Sequence, residues 1–567
     1  MFNLKIKKMA AMKYLIISLF FAGILTSCTT NTKTPNIILI MVDDLGYSDL
    51  GSYGGEINTP HIDRLASNGI RMTQMYNSAR CCPTRASLMT GLYPHQTGIG
   101  FMSADNGLPG YRGFLNDRCV TSAELLREKG YKTYLSGKWH LRGHGNMDCI
   151  PTKRGFDEFY GPFRDYASFY REDIYYRLPE GRPKLKFDKP FYATDAITDY
   201  AIQFLNEARS QNKPYYLYLA YGAPHFPLQA PREKIDKYVK TYEKGWDKIR
   251  QERNERLATS DLFPNAYKLT ERGLVPQVPN RNKDSEYFGK EIPAWDSLPE
   301  DRRKDLARRM ATYAAMVETV DENIGRLIQD LKDKGELENT CIFFLSDNGA
   351  CAEWDPYGFD NNPYPVNKLY KGDDLDKIGQ EGTFHSYGTG WANACNTPFY
   401  SYKHYTYEGG ISTPMIIHYP LEMKNKGTVN HQAQFVSDIT ATILDLAGVT
   451  YPEKWKGKEL YPIEGQSFKS LIGGGELKPR TLFFEHEGNR GVRDGKWKLV
   501  WVNYEKKWRL YDLNTDRTET EDIANKFPLI VEKLSEKWNK WAERCFVEKQ
   551  KVIQPAKGMP KIYYMQD

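Results

Sequence analysis

Hydrophobic and polar positions along this chain follow two alternating periods. Asn36–Val42 reads NIILIMV, a continuous apolar run of strand length, as expected of a parallel strand covered on both faces. Thr340–Ser346 (TCIFFLS), Lys132–Ser136 and Pro214–Tyr221 (PYYLYLAY) have the same character, and Met415–Tyr419 is a further apolar strand. Between them, apolar residues recur at helical spacing. Ser122–Lys129 has a serine before its periodic run and a glycine after it, a start and a stop together. Ala193–Arg209 and Met310–Lys334 read the same way. This alternation predicts an α/β fold, a large mixed, mostly parallel sheet sandwiched by helices. From about Thr481 the text changes to short aromatic and β-branched runs separated by turns such as R-D-G and N-T-D, which predicts an antiparallel meander. A helix over Pro528–Phe546 closes the chain.

The start of the chain follows a different rule. From Met12 a lysine precedes LIISLFFAGIL and then T-S-C, which predicts an export signal over 1–27 that is too short to be a stable membrane span. Leu25–Cys28 resembles a bacterial lipoprotein cleavage box, with an ordinary secretory signal as the alternative. That box implies acylation of Cys28, a tether over 28–35, and a periplasmic or cell-surface protein that meets the membrane only through its lipid. The main domain is expected over 36–475 and a smaller α+β subdomain over 476–567. Two insertions interrupt the main domain. One, 232–300, is rich in charge and tyrosine; the other, 351–390, is rich in glycine and asparagine.

Composition narrows the function. A chain of 567 residues exceeds what one hydrophobic core organises, roughly 250–300 residues. A net charge of +6 without a dense basic stripe gives no case for nucleic acid. Nine cysteines, scattered and odd in number, do not form a disulfide framework.

The candidate chemistry sits where the strands end. Asp43 and Asp44 follow the first strand, and Asp347 and Asn348 follow TCIFFLS. Open α/β sheets place ligands at the carboxyl ends of their strands. Four oxygen donors without cysteine or histidine favour Ca²⁺ or Mg²⁺ over Zn²⁺. Lys138 and His140 lie just past a third strand, His225 past a fourth, and Lys403 stands before the fifth in KHYTYEGGISTP. Cys81 precedes Pro83 at an expected helix start, where free backbone N–H groups favour an anion, and Arg85 follows about one turn on. Among the other histidines, His61, His95, His144, His418 and His431 take structural readings, and His385, His404 and His486 stay as pocket candidates.

C-x-P-x-R at Cys81, Pro83 and Arg85, followed by Leu88, Thr90 and Gly91, resembles the signature of the type I, formylglycine-dependent sulfatases of the alkaline-phosphatase-like superfamily. G-K-W-H at 137–140 and Lys403 before E-G-G fit the same family, and the stretches at 293–298 and 391–403 resemble its bacterial arylsulfatase-like subgroup. The resemblance implies that a formylglycine-generating maturase oxidises Cys81 to an aldehyde whose hydrate is the nucleophile. It implies that Asp43, Asp44, Asp347 and Asn348 hold one metal ion, usually calcium, with an oxygen of residue 81 completing the shell. Lys138, His225 and Lys403 would then clamp sulfate, while Arg85 and His140 hold and deprotonate the hydrate. The implied reaction hydrolyses sulfate monoesters, aryl sulfates or O-sulfated carbohydrates of extracellular glycans, to alcohol and inorganic sulfate. Two rivals are a phosphoester or phosphonate hydrolase of the same superfamily and a non-catalytic lipoprotein that binds sulfated glycans. The sugar and the sulfated position are left open, to be decided by the two insertions with His486 nearby.

Overall fold

The structure is a computed structural model that describes residues 34–549, apart from 164–167, 188, 264–266, 278–284, 354 and 361–366. The expected export signal, Cys28 and most of the tether lie outside the described residues. Among the described residues, ten strands form one sheet: β1 (Asn36–Val42), β2 (Ile70–Tyr76), β3 (Lys132–Gly137), β4 (Glu158–Gly161), β5 (Tyr176–Leu178), β6 (Tyr215–Ala220), β7 (Thr340–Ser346), β8 (Ser412–His418), β9 (Thr428–Asn430) and β10 (Gln434–Phe435). Their order is β10-β2-β8-β7-β1-β6-β3-β4-β5, with β9 beside β2. The central pairs β7–β1, β1–β6 and β6–β3 are parallel. Strand β8 runs antiparallel to both β7 and β2. The carboxyl ends of β1, β2, β3, β6 and β7 and the amino end of β8 therefore share one rim.

The continuous apolar run of β1 follows from its position. Ile38, Ile40 and Val42 belong to one core layer with the long Glu300–Asp333 helix, and Ile37, Leu39 and Met41 belong to the opposite layer. With both faces buried from Ile37 to Val42, every one of those positions is apolar. The second layer also takes in the Cys81–Thr90 and Ser437–Leu446 helices and side chains of the C-terminal part, including Leu482, Phe484, Val492, Leu499 and Trp538. After a short hairpin of β11 (Lys454–Trp455) and β12 (Lys458–Glu459), that part is an antiparallel meander. Its strands are β13 (Leu482–His486), β14 (Asn489–Asp494), β15 (Trp497–Val502) and β16 (Lys507–Asp512), followed by the Pro528–Arg544 helix.

Several boundaries differ from the sequence reading. The helix expected from Met310 begins at Glu300, directly after Pro299, with Glu300 and Asp301 in its first turn. Acidic residues suit a helix N-terminus, but their polarity disguises this turn as loop. The helix at 122 is capped by Thr121, whose hydroxyl accepts from Glu124 N at 3.1 Å while the Glu124 carboxylate accepts from Thr121 N at 3.1 Å. Strand β8 starts at Ser412, three residues before the apolar run. Thr413 Oγ1 donates to Ser346 O and accepts from Ser346 N, each at 3.1 Å, so polar residues begin the strand.

Candidate active site

Each strand end delivers its side chains to the shared rim, and local geometry fixes them. Gly137 has φ 116°, and a Cβ there would sit 1.9 Å from Ala220 O, so only glycine lets Lys138 N donate to that carbonyl at 2.8 Å. Asp44 adopts φ 66° in the left-handed region, which aspartate tolerates better than most residues. Its carbonyl accepts from Tyr313 Oη at 3.2 Å, and the same hydroxyl donates to Asp49 Oδ2 at 2.6 Å. Cys81 opens the Cys81–Thr90 helix, every residue of which is buried.

The structure brings all ten predicted site residues together, and all are buried. Asp44 N donates to Asp347 Oδ1 at 3.2 Å, and Asn348 Nδ2 donates to Asp44 Oδ1 at 2.6 Å. Lys138 Nζ donates to Asp43 Oδ2 at 2.5 Å; Lys403 Nζ donates to Asp44 Oδ1 at 2.7 Å and Oδ2 at 2.9 Å. His225 Nε2 stands 3.5 Å from Asp44 Oδ2. Arg85 donates to Asp347 Oδ2 at 2.8 Å, Lys138 O at 3.3 Å and Tyr218 Oη at 3.1 Å, and lies 3.6 Å from Asp43 Oδ2. His140 Nδ1 is 3.6 Å from Cys81 Sγ.

Charge at this rim is finely balanced. Burial opposes ionisation of Asp43, yet Lys138, His225 and Arg85 outweigh it and bring its pKa to about 2. Asp347 goes the other way: burial, reinforced by Asp43, pushes it well above the usual carboxylate range despite Arg85. Burial favours the neutral amine of Lys403, but the Asp44 carboxylate prevails and raises its pKa. A hydrogen bond with Cys82 lowers the Cys81 thiol well below its ordinary value against the effect of burial, with Lys138 and His140 adding to the shift.

Sequence reasoning missed Tyr218, Tyr313 and Asp49, which orient Arg85 and Asp44. Tyr218 carried a signal: in PYYLYLAY it shares a face with Tyr216 and Ala220, and the three fall in one core layer. Of the three pocket histidines, His404 and His486 lie near each other, with ring centroids 6.0 Å apart. His385 pairs instead with Asp360 at 2.6 Å. His95, read as structural, is buried against Glu485 at 2.7 Å.

Buried carboxylates ringed by cations, at one rim of a helix-covered sheet, suit the binding of an anionic ester. The sulfatase family model matches residues 35–449, and the C-terminal model of N-sulphoglucosamine sulphohydrolase matches 398–544. An uncharacterized sulfatase of Schizosaccharomyces pombe is 35% identical over 540 residues, covering 89% of this chain and 93% of the relative. The arylsulfatase of Klebsiella aerogenes is 32% identical, covering 77% of this chain and 92% of its own. The crystal structure of Ps i-CgsB in complex with k-i-k-neocarrahexaose has a TM-score of 0.62 at 25% identity, over 90% of this chain and 93% of its own. The chain belongs to the sulfatase family and is a sulfuric ester hydrolase.

Proposed function

We propose that this enzyme hydrolyses O-sulfated carbohydrates with a calcium ion and a formylglycine at position 81, and that it also cleaves aryl sulfates. One observation carries the proposal: four oxygen-bearing side chains, three cations, two histidines and Cys81 converge on one buried rim. The donors fit a hard ion. Asp43 Oδ1 and Asn348 Oδ1 are buried with no hydrogen-bond partner among the described residues. An orphaned buried acceptor costs about 1–3 kcal/mol, so two in one place point to a missing partner. Asp43, Asp44, Asp347 and Asn348 would hold that ion, and an all-oxygen set suits calcium.

When bound, the ion supplies positive charge for a sulfate oxygen and acidifies a hydroxyl on residue 81. When formed, the hydrated aldehyde supplies one hydroxyl to attack sulfur and a second that later expels sulfate. The chain's own residues do the rest. Lys138, Lys403 and His225 offer N–H donors to sulfate oxygens, where developing charge is stabilised. Arg85 holds residue 81 from the helix side, and His140 Nδ1 takes a proton at that residue. His225 or Lys403 donates a proton to the leaving oxygen. Burial of the rim excludes bulk water and strengthens each of these interactions.

Residues 1–33 support an exported protein lipidated at Cys28. The bound oligosaccharide of Ps i-CgsB supports a carbohydrate substrate for this chain as well. The test is expression with and without a formylglycine-generating enzyme, followed by release of sulfate from sulfated sugars and from p-nitrophenyl sulfate. The peptide containing residue 81 should show the mass change only with the maturase. Cys81→Ala should lose at least about 10³-fold in kcat/KM, and full activity in that variant ends the proposal. Chelation should abolish turnover, with calcium restoring it better than magnesium.

A further inference from the structure

Three loops meet beside Cys81 at residues that the mechanism does not use. Arg80 immediately precedes Cys81, His404 immediately follows Lys403, and Glu487 lies in the turn between β13 and β14 of the C-terminal sheet. Arg80 Nη1 contacts the His404 ring, 2.6 Å from Nδ1, and His404 Nδ1 lies 2.9 Å from Glu487 Oε2. The backbone locks this arrangement. His404 N donates to Ala79 O at 2.9 Å, Asn489 Nδ2 to His404 O at 3.2 Å, and Asn503 Nδ2 to Glu487 O at 3.1 Å. Ala79, His404 and Glu487 all have left-handed backbone, with φ of 59°, 82° and 54°. Strain of this kind persists only where surroundings enforce it, and it clusters at ligand clamps.

We propose that Arg80, His404 and Glu487 form the subsite that grips the hydroxyl groups of the sugar ring whose sulfate is removed; this rests on the sulfated-carbohydrate reading above. Position favours it, because the cluster flanks both the nucleophile position and a sulfate-clamping lysine. Exposure favours it too: His404 is buried behind, while Arg80 and Glu487 keep partial exposure, 13% at the Glu487 side chain. The chemistry selects the ligand class. Two carboxylates, Glu487 and Glu353, act on the single cation Arg80, so a second anionic group on the substrate is not favoured. A neutral hydroxyl suits both sides, donating to Glu487 and accepting from Arg80. His404, His486 and Glu487 also lie close enough together to bind a metal ion. The guanidinium against the His404 ring opposes a second cation there.

The experiment compares kcat/KM on a panel of O-sulfated hexoses and N-acetylhexosamines with kcat/KM on p-nitrophenyl sulfate. It uses the matured full chain, Glu487→Gln and His404→Asn, with folding checked by thermal denaturation. The sugar-to-aryl ratio should fall at least about tenfold in each variant, because a site built to bond a hydroxyl loses discrimination when that bond is removed. Equal loss on both substrate classes overturns the subsite, since a merely structural role moves both together. A wild type that cleaves sulfated sugars, with a ratio unmoved in both variants, overturns the subsite alone. A wild type that cleaves the aryl ester and no sulfated sugar overturns the carbohydrate reading and the subsite with it.

Discussion

At the residue scale the rim is an exercise in cancellation. Three carboxylates, Asp43, Asp44 and Asp347, face three cations, Arg85, Lys138 and Lys403, all of them buried. Removing one partner of a buried pair leaves an uncompensated charge, at a cost of about 3–5 kcal/mol. Lys403→Met should therefore lower stability by roughly that amount in the presence of chelator, and lower kcat/KM by about 10²–10³-fold through loss of the donor proposed for sulfate. Adding Asp44→Asn should recover much of the stability, read by denaturant unfolding, and none of the activity. That split separates the structural debt of the pair from its catalytic use.

At the element scale the close approach of two loops matters most. A Cβ on Gly349 would fall 1.8 Å from Gly409 O, and Gly349 N donates to Gly410 O at 3.1 Å. The turn after β7 and the E-G-G turn after Lys403 thus touch backbone to backbone. Gly349→Ala should destabilise the fold by about 1–3 kcal/mol, seen as a lowered Tm, and should weaken metal retention measured by elemental analysis.

The E-G-G turn is also anchored by Lys498 on β15, which donates to Glu408 Oε1 at 2.8 Å and forms an ion pair with Glu519 Oε1 at 2.8 Å. Two carboxylates share that cation, and burial, with Glu408 adding to it, raises Glu519 to about 7 against the pull of Lys498. The folded state then holds a proton that the unfolded chain releases near the usual glutamate value. Stability is fully present below that value and is lost as pH rises to about 7, by up to roughly 3 kcal/mol. Glu519→Gln should flatten this decline, so its stability relative to wild type should increase between pH 5 and pH 8.

How much of this was legible follows from the same contacts. Strands β1 and β7 were readable to the residue because both of their faces are buried, so their pattern is unbroken. Strand β2 (IRMTQMY) was not read at all, because Arg71 and Gln74 interrupt it on a partly exposed face. The convergence of the ten candidate residues was legible because short motifs carry them, most beside strand ends and Cys81 and Arg85 at the start of a helix. Asp49, Tyr218 and Tyr313 were not, because their roles arise only from partners far along the chain, such as Asp49 and Tyr313, separated by 264 residues.

At the scale of the whole molecule the C-terminal sheet behaves as part of the core. Leu482, Phe484, Val492, Leu499, Trp538 and Trp541 share one apolar layer with β1 and the Cys81–Thr90 helix. The described residues from Pro35 onward cluster as one compact unit. Truncation after residue 475 should expose that layer and give insoluble protein, measured as the soluble fraction after lysis, rather than a stable fragment with altered specificity. Among the described residues no helix is long and apolar enough to cross a membrane.

The burial of Cys81, only 1% exposed in the finished fold, sets an order of events. A modifying enzyme needs the thiol and several flanking residues laid open, and here those residues are wedged in a helix without a free face. The oxidation proposed for this thiol therefore has a deadline: it must be done while the chain is still an open thread, before the loop carrying Lys403 arrives to shut the rim. A batch folded with its thiol intact should stay inert when given the maturase afterwards, whereas a denatured sample or a short peptide spanning the same motif should be converted.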